Sequence, residues 1–168
     1  FVAQDMGMDY IGPYTFSATR LALGFITLLP FFFIFEFRKV RETKLSYKIV
    51  IGYFFLLGFF LAGGNIFQQI SLIYTDVANS AVFTVLYVVI VPIIAYFLFS
   101  KKIHGSVWPS VLMCLIGGLL LSELNNLRVR YGDSLVVIGA FFWAFHIVFI
   151  SKFLKIFNFP ITIATFQC

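Results

Sequence analysis

The sequence predicts an all-α, multi-pass membrane helix bundle, and three observations carry that prediction. Of the 168 residues, 61% are hydrophobic, against about 45–50% in soluble domains. They gather into runs such as Val77 to Phe99, which holds no ionisable group except tyrosine, and about 20 such residues suffice to cross hydrocarbon as a helix. The charged residues, 11% of the chain, lie almost entirely between the runs. With 24 phenylalanines and so few charges, a water-soluble domain would lack the polar surface to stay dissolved.

Residues 1 to 12 read as the tail of one helix and a short loop carrying Asp5 and Asp9. The first complete span is expected from Pro13 to Phe35, with proline at the first helical position, where a missing N–H costs nothing. Glu36 to Lys48, holding five basic and two acidic residues, is expected as a loop. A second span follows from Ile49 to Tyr74. A turn at Thr75–Asp76 makes it the antiparallel neighbour of a third, Val77 to Phe99. Shorter apolar stretches from Val107 to Ser122 and from Ser134 to Ile150 give the fourth and fifth spans, and a sixth starts at Pro160. Pro30, Pro92, Gly63–Gly64 and Gly117–Gly118 lie inside spans, which membrane helices tolerate because neighbours satisfy the freed backbone groups. The chain opens on Phe1 and closes on Cys168 within an apolar stretch, so it is expected to be a piece of a longer protein and inactive by itself.

The net charge of +5 is informative through its placement. The loops expected at 36–48, 100–106 and 151–159 hold nine basic residues, and the alternate loops only Arg128 and Arg130. The positive-inside rule then puts the basic loops in the cytoplasm, of a chain expected in the plasma membrane. No loop is long or basic enough for a nucleic-acid surface, and no zinc or helix-turn-helix pattern accompanies them. Cys114 and Cys168 show no paired spacing, so neither a disulfide framework nor a metal or other cofactor is expected, and both read as packing residues.

An offset of 147 residues lays Tyr14–Arg20 on Ile161–Gln167, Pro13 on Pro160 and Thr15 on Thr162. The two prolines open spans from opposite membrane sides, as a repeat of five helices requires, and inverted repeats are a common transporter architecture. The segments Pro13-Tyr14-Thr15-Phe16-Ser17-Ala18-Thr19-Arg20, Gln69 through Phe83, and Gly132-Asp133 followed by Ala140-Phe141-Phe142-Trp143-Ala144-Phe145-His146 together resemble the EamA-type branch of the drug/metabolite transporter superfamily. The resemblance implies ten helices in inverted five-helix repeats. Residues 1–123 would form the first, lacking most of its helix 1, and 133–168 the truncated start of the second. It also implies alternating-access transport, often export, of small organic metabolites such as amino acids. One departure is Ser100-Lys101-Lys102, where such proteins often place an acidic residue after helix 4.

Polar side chains inside hydrocarbon are costly and therefore single out a candidate substrate site. Asn65, Gln68 and Gln69 share a face of the second span by their i, i+3, i+4 spacing. They either line a cavity or act as interhelical glue. Ser80, Thr84 and Tyr87 make a second stripe, followed by Pro92, whose missing N–H is expected to loosen the helix near Val88 as a gating hinge or a static bend. Asn79 is expected to cap or end its helix. His146, three residues after Trp143, suits proton coupling or substrate sensing, or is a neutral imidazole bonded to a backbone carbonyl. Arg20 lies about 10 Å into its span. It either snorkels to headgroups or faces the cavity, where it would favour carboxylates. Gly58 with Ala62, and Ala140 with Ala144, have the spacing of close helix packing, and Trp108 and Tyr131 fit interfacial anchors.

The expected partners are a small-molecule substrate and the lipid bilayer, with a proton as coupling ion and a homodimer both compatible with this reading. A membrane-embedded enzyme or a non-transporting scaffold is the alternative. An enzyme needs a nucleophile–base pair, a metal cluster or paired carboxylates, and all seven acids are expected in loops or at span ends.

Overall fold

The computed structural model describes residues 1–8, 10–43, 46–100, 103–121 and 130–168, and among these it is all helix and connecting turns. The elements are α1 (Val2–Met8), α2 (Pro13–Phe31), a π-helical turn (Phe32–Glu36), α3 (Phe37–Arg41), α4 (Tyr47–Tyr74), α5 (Val77–Thr84), α6 (Tyr87–Phe99), α7 (Val107–Leu121), α8 (Tyr131–Phe157) and α9 (Pro160–Gln167). Four helical stretches, Pro13–Arg41, Tyr47–Tyr74, Val77–Phe99 and Tyr131–Phe157, are long and apolar enough to cross a membrane. Lys44, Lys101, Lys102, Glu123 and Arg128, which enter the expected charge asymmetry, lie outside the described residues, as does Asp9.

Helix α8 is the centre of the bundle. It packs along the length of α4 on one side and against α5 and α6 on another, while α9 turns back onto α2 and α4. Ala140 and Ala144 are fully buried, so the α4–α8 approach is set by small residues as their spacing predicts. Gly63 and Gly64 supply the facing surface: a Cβ on Gly63 would run into the Phe142 ring. Gly58, by contrast, has nothing within 4 Å of where a Cβ would stand, and Ala62 is exposed, so that pair does not pack a helix.

Towards the basic end, Leu57, Phe153, Phe157 and Ile163 form a closed apolar core. Tyr53 stacks on Phe153 at 4.8 Å and Phe153 on Phe157 at 5.1 Å. At the opposite end the start of α8 is tied to the end of α4. Thr75 donates to Asp133, Asp133 accepts the Arg130 N–H at 2.8 Å, and Arg130 pairs with Asp76 at 2.7 Å. Gly132 is required there, since a Cβ would fall 2.8 Å from backbone atoms of Tyr74 and Thr75.

Several expected boundaries move. The stretch from Glu36 is not a loop: the first span continues helical to Arg41 through the π turn, with Glu36 buried. Pro30 removes one ladder bond just before that turn, and a run of bulky phenylalanines follows, the conditions under which a helix admits an extra residue per turn. The fifth span runs from Tyr131 to Phe157, placing Asp133 in its first turn and Lys152 and Lys155 in its last turns instead of a loop. Apolar stems fit the extension: Lys152 lies over the Phe99 ring at 4.5 Å and so remains in a mostly apolar helix.

The third span is interrupted at Val85–Leu86, one turn before the expected Val88, and Pro92 sits within an unbroken α6. The break follows Thr84, whose hydroxyl donates to the Ser80 carbonyl at 2.7 Å and so competes with the helical ladder. Val85, Leu86, Val88 and Val89 then make tighter bonds to residues three positions back. Asn79 is not a cap; Asp76 holds that position. Cys114 and Cys168 are free and exposed, Cys168 with one side against Gly24, while Trp108 and Tyr131 are exposed at the first turns of α7 and α8.

Candidate functional site

The candidate polar residues come from four helices that close on one another. On α4, Asn65, Gln68 and Gln69 are all buried, but they face two ways. Asn65 accepts a hydrogen bond from the Arg20 guanidinium and returns its own N–H to the Leu61 carbonyl at 3.0 Å. Gln69 accepts from the Gln4 side-chain amide and, at 3.4 Å, from the Ser17 hydroxyl. Gln68 points instead at α5, donating to Thr84 at 3.3 Å, beside a Ser71–Ser80 hydroxyl contact of 3.4 Å. The shared face thus divides because positions 68 and 69 are about 100° apart around a helix.

A second set of groups comes from α8 and α9. His146 is buried and its Nε2 lies 3.3 Å from Gln167 Oε1, the tautomer protonated on Nε2 being the donor. Its partner is a side chain of another helix and not a backbone carbonyl. Trp143 crosses His146 edge to face at 6.0 Å, and its Nε1 would be 3.0 Å from a Cβ on Gly64, the neighbour of Asn65. The ring closes through Cys168, whose Sγ is 3.1 Å from a Cβ placed on Gly24, one turn beyond Arg20 on α2. Arg20, Asn65, Trp143, His146 and Gln167 therefore follow one another around an interior bounded by α2, α4, α8 and α9.

Three buried polar atoms have no hydrogen-bond partner among the described residues: Trp143 Nε1 and Gln167 Nε2 in this ring, and Gln69 Nε2 one turn along α4 from Asn65. An unsatisfied buried group costs about 1–3 kcal/mol, so three of them together are a heavy concession in a chain otherwise able to use leucine. The indole can only donate, and Arg20 can only donate. What the arrangement offers chemically is a set of donors without acceptors, next to a cation.

Arg20 is exposed on α2 but directed at α4, so its head is engaged within the bundle and does not extend to a membrane surface. Tyr87 is not brought to the ring. It lines a separate groove of about 410 Å³ with Pro92, Ser110, Val111 and Ile147, between α6 and α7. Gln4, Ser17 and Gln167 join the site although the sequence reading does not select them. For Gln167 a signal exists, because the 147-residue offset pairs it with Arg20.

Known proteins match this arrangement of helices at the level of sequence. Residues 1–123 match the EamA-like transporter family. The chain belongs to that family. It is also 27% identical over 167 residues, 99% of its length, to an Archaeoglobus fulgidus protein named as an uncharacterized transporter. That alignment takes in 49% of the relative, so the chain spans about half the length of the transporter it matches. No solved structure matches the chain. The chain is thus an EamA-like transporter family chain with four helices long and apolar enough to cross a membrane.

Proposed function

We propose that the protein is a secondary transporter that exports small organic metabolites, such as amino acids or related compounds, across the plasma membrane by alternating access. The observation that carries this reading is the ring of Arg20, Asn65, Trp143, His146 and Gln167, with Gln69 beside it, set among apolar spans with three buried polar atoms unpaired among the described residues. Structural glue would have been selected to satisfy itself. A transport site must keep donors for its cargo and let them find partners among themselves when empty. Gln68 and Thr84 supply a neighbouring pair, and the helix break after Thr84 gives the third span a place to bend. Pro92 and Tyr87 then belong to the groove that such bending would open or close.

His146 is the group we propose for proton coupling, since imidazole is the side chain whose unperturbed form changes charge near neutral pH and this one holds a side-chain partner from α9. The basic loops face the cytoplasm in this reading, and residues 1–123 and 133–168 belong to two inverted repeats. The test is efflux of a metabolite panel from vesicles carrying the whole protein, with and without a pH gradient, repeated with His146→Ala and Gln69→Ala. A loss of at least tenfold in both supports the site. Equal rates in both variants and the parent remove these residues from it.

A further inference from the structure

The proposed transport site leaves out a buried carboxylate near the basic end of the bundle, Glu36. Only 7% of it is exposed, although it stands in a span of phenylalanines. Its Oε1 accepts the Ile161 N–H at 3.2 Å, and its Oε2 accepts the Thr162 N–H at 2.7 Å and the Thr162 hydroxyl at 2.6 Å. The two N–H groups are orphan donors of the first turn of α9, a helix whose own preceding residue, Phe159, offers no side-chain acceptor. A carboxylate there also meets the positive end of the helix dipole. The bonds span 125 and 126 residues of sequence, so nothing local accounts for them.

We infer that Glu36 is a positioning residue that ties α9 to the π turn following α2 and thereby sets where Gln167 meets His146. Helix α9 is short, and its first and last turns are both engaged: the first by Glu36, the last by Gln167 on His146 and Cys168 against Gly24. A displacement at Thr162 is carried along the rigid helix to Gln167, five residues on, about 7–8 Å away. Ile163, Thr162 and Thr165 are buried between the two ends, and Phe166 crosses Phe32 at 5.7 Å, so α9 has a fixed seat for the tie to secure. The consequence for transport rests on the proposed site, whereas the tie itself does not.

A disulfide reports the seat directly. With Gly24→Cys the new Cβ would lie 3.1 Å from the Cys168 Sγ and 3.6 Å from its Cβ, within the roughly 3.5–4.5 Å Cβ separation of natural disulfides. The full chain carrying Gly24→Cys and Cys114→Ser, in native membranes under copper-phenanthroline, should lose both maleimide-reactive thiols as the bond forms. Adding Glu36→Gln should slow this about tenfold, the usual scale of a lost helix cap. Thr162→Val, which removes one donor of three, should slow it about two- to threefold, and Glu36→Asp should recover part of the rate. That graded series is not what general unfolding would give. Equal rates with and without Glu36→Gln, or no bond with Glu36 in place, would overturn the tie. If cross-linking obeys Glu36 while Gln167→Ala leaves efflux of the metabolite panel unchanged, the site reading falls and the tie stands. If cross-linking ignores Glu36 while Gln167→Ala abolishes efflux, the tie falls and the site stands.

Discussion

The two halves of α4 meet the same partner, α8, and are buried in opposite ways. The first half gives Tyr53, Phe54 and Leu57 to the aromatic core around Phe153 and Phe157. The second half buries Gly64, Asn65, Gln68, Gln69, Ser71 and Leu72, five of them polar or glycine. In lipid, apolar burial has no solvent driving force of its own, so both halves are held by close packing and hydrogen bonds. The difference is therefore one of purpose and not of solvent: the first half is packed to stay, and the second retains polar atoms that stability alone does not reward.

Four substitutions test that contrast, in falling order of expected effect on stability. Phe153→Ala empties the centre of the aromatic core. It should cost about 2–3 kcal/mol, less than the ~3–5 of a water-soluble core because lipid, not water, is the alternative surrounding. Thermal unfolding in detergent measures it. Gly63→Ala drives a methyl into the Phe142 ring and should cost about 1–3 kcal/mol by overpacking; the same assay would show no shift if α4 and α8 could separate freely. Gln69→Leu should change stability by no more than about 1 kcal/mol, since polar contacts between membrane helices average ~0.6. It should nevertheless reduce efflux at least tenfold, and a variant that loses stability in proportion to transport would erase the distinction between the halves. Gly58→Ala, with open space around its Cβ, should be neutral or stabilising by up to about 1 kcal/mol through helix propensity.

The spans are legible in the sequence because lipid imposes a length and a composition on each one. Ala140 and Ala144, and the buried amides of α4, are legible for the same reason: small or polar residues inside hydrocarbon have few other uses. What escapes the sequence depends on distant partners. Glu36 reads as the start of a charged loop until α9 is seen to bring two N–H groups and a hydroxyl to it. Gly58 and Ala62 carry the same spacing as Ala140 and Ala144, yet spacing does not say which face meets a helix and which meets lipid. Proline is the stronger helix breaker in isolation, which draws the expected bend towards Pro92. A threonine hydroxyl, Thr84, engaged with both Ser80 and Gln68, is sufficient one turn earlier.

The π turn at Phe32–Glu36 makes the distance from Pro13 to Glu36 a matter of counting. Removing any single phenylalanine from this segment would let the ladder run as an ordinary α-helix, mending the local geometry. Because the turn absorbs one extra residue, the residues after it would keep their places, whereas losing a residue from the regular helix before it would swing the carboxylate by about 100° off the start of α9. The same loss of one residue would thus be absorbed at the π turn and unfasten α9 if made a few residues earlier, so the carboxylate's aim is a property of the count along α2.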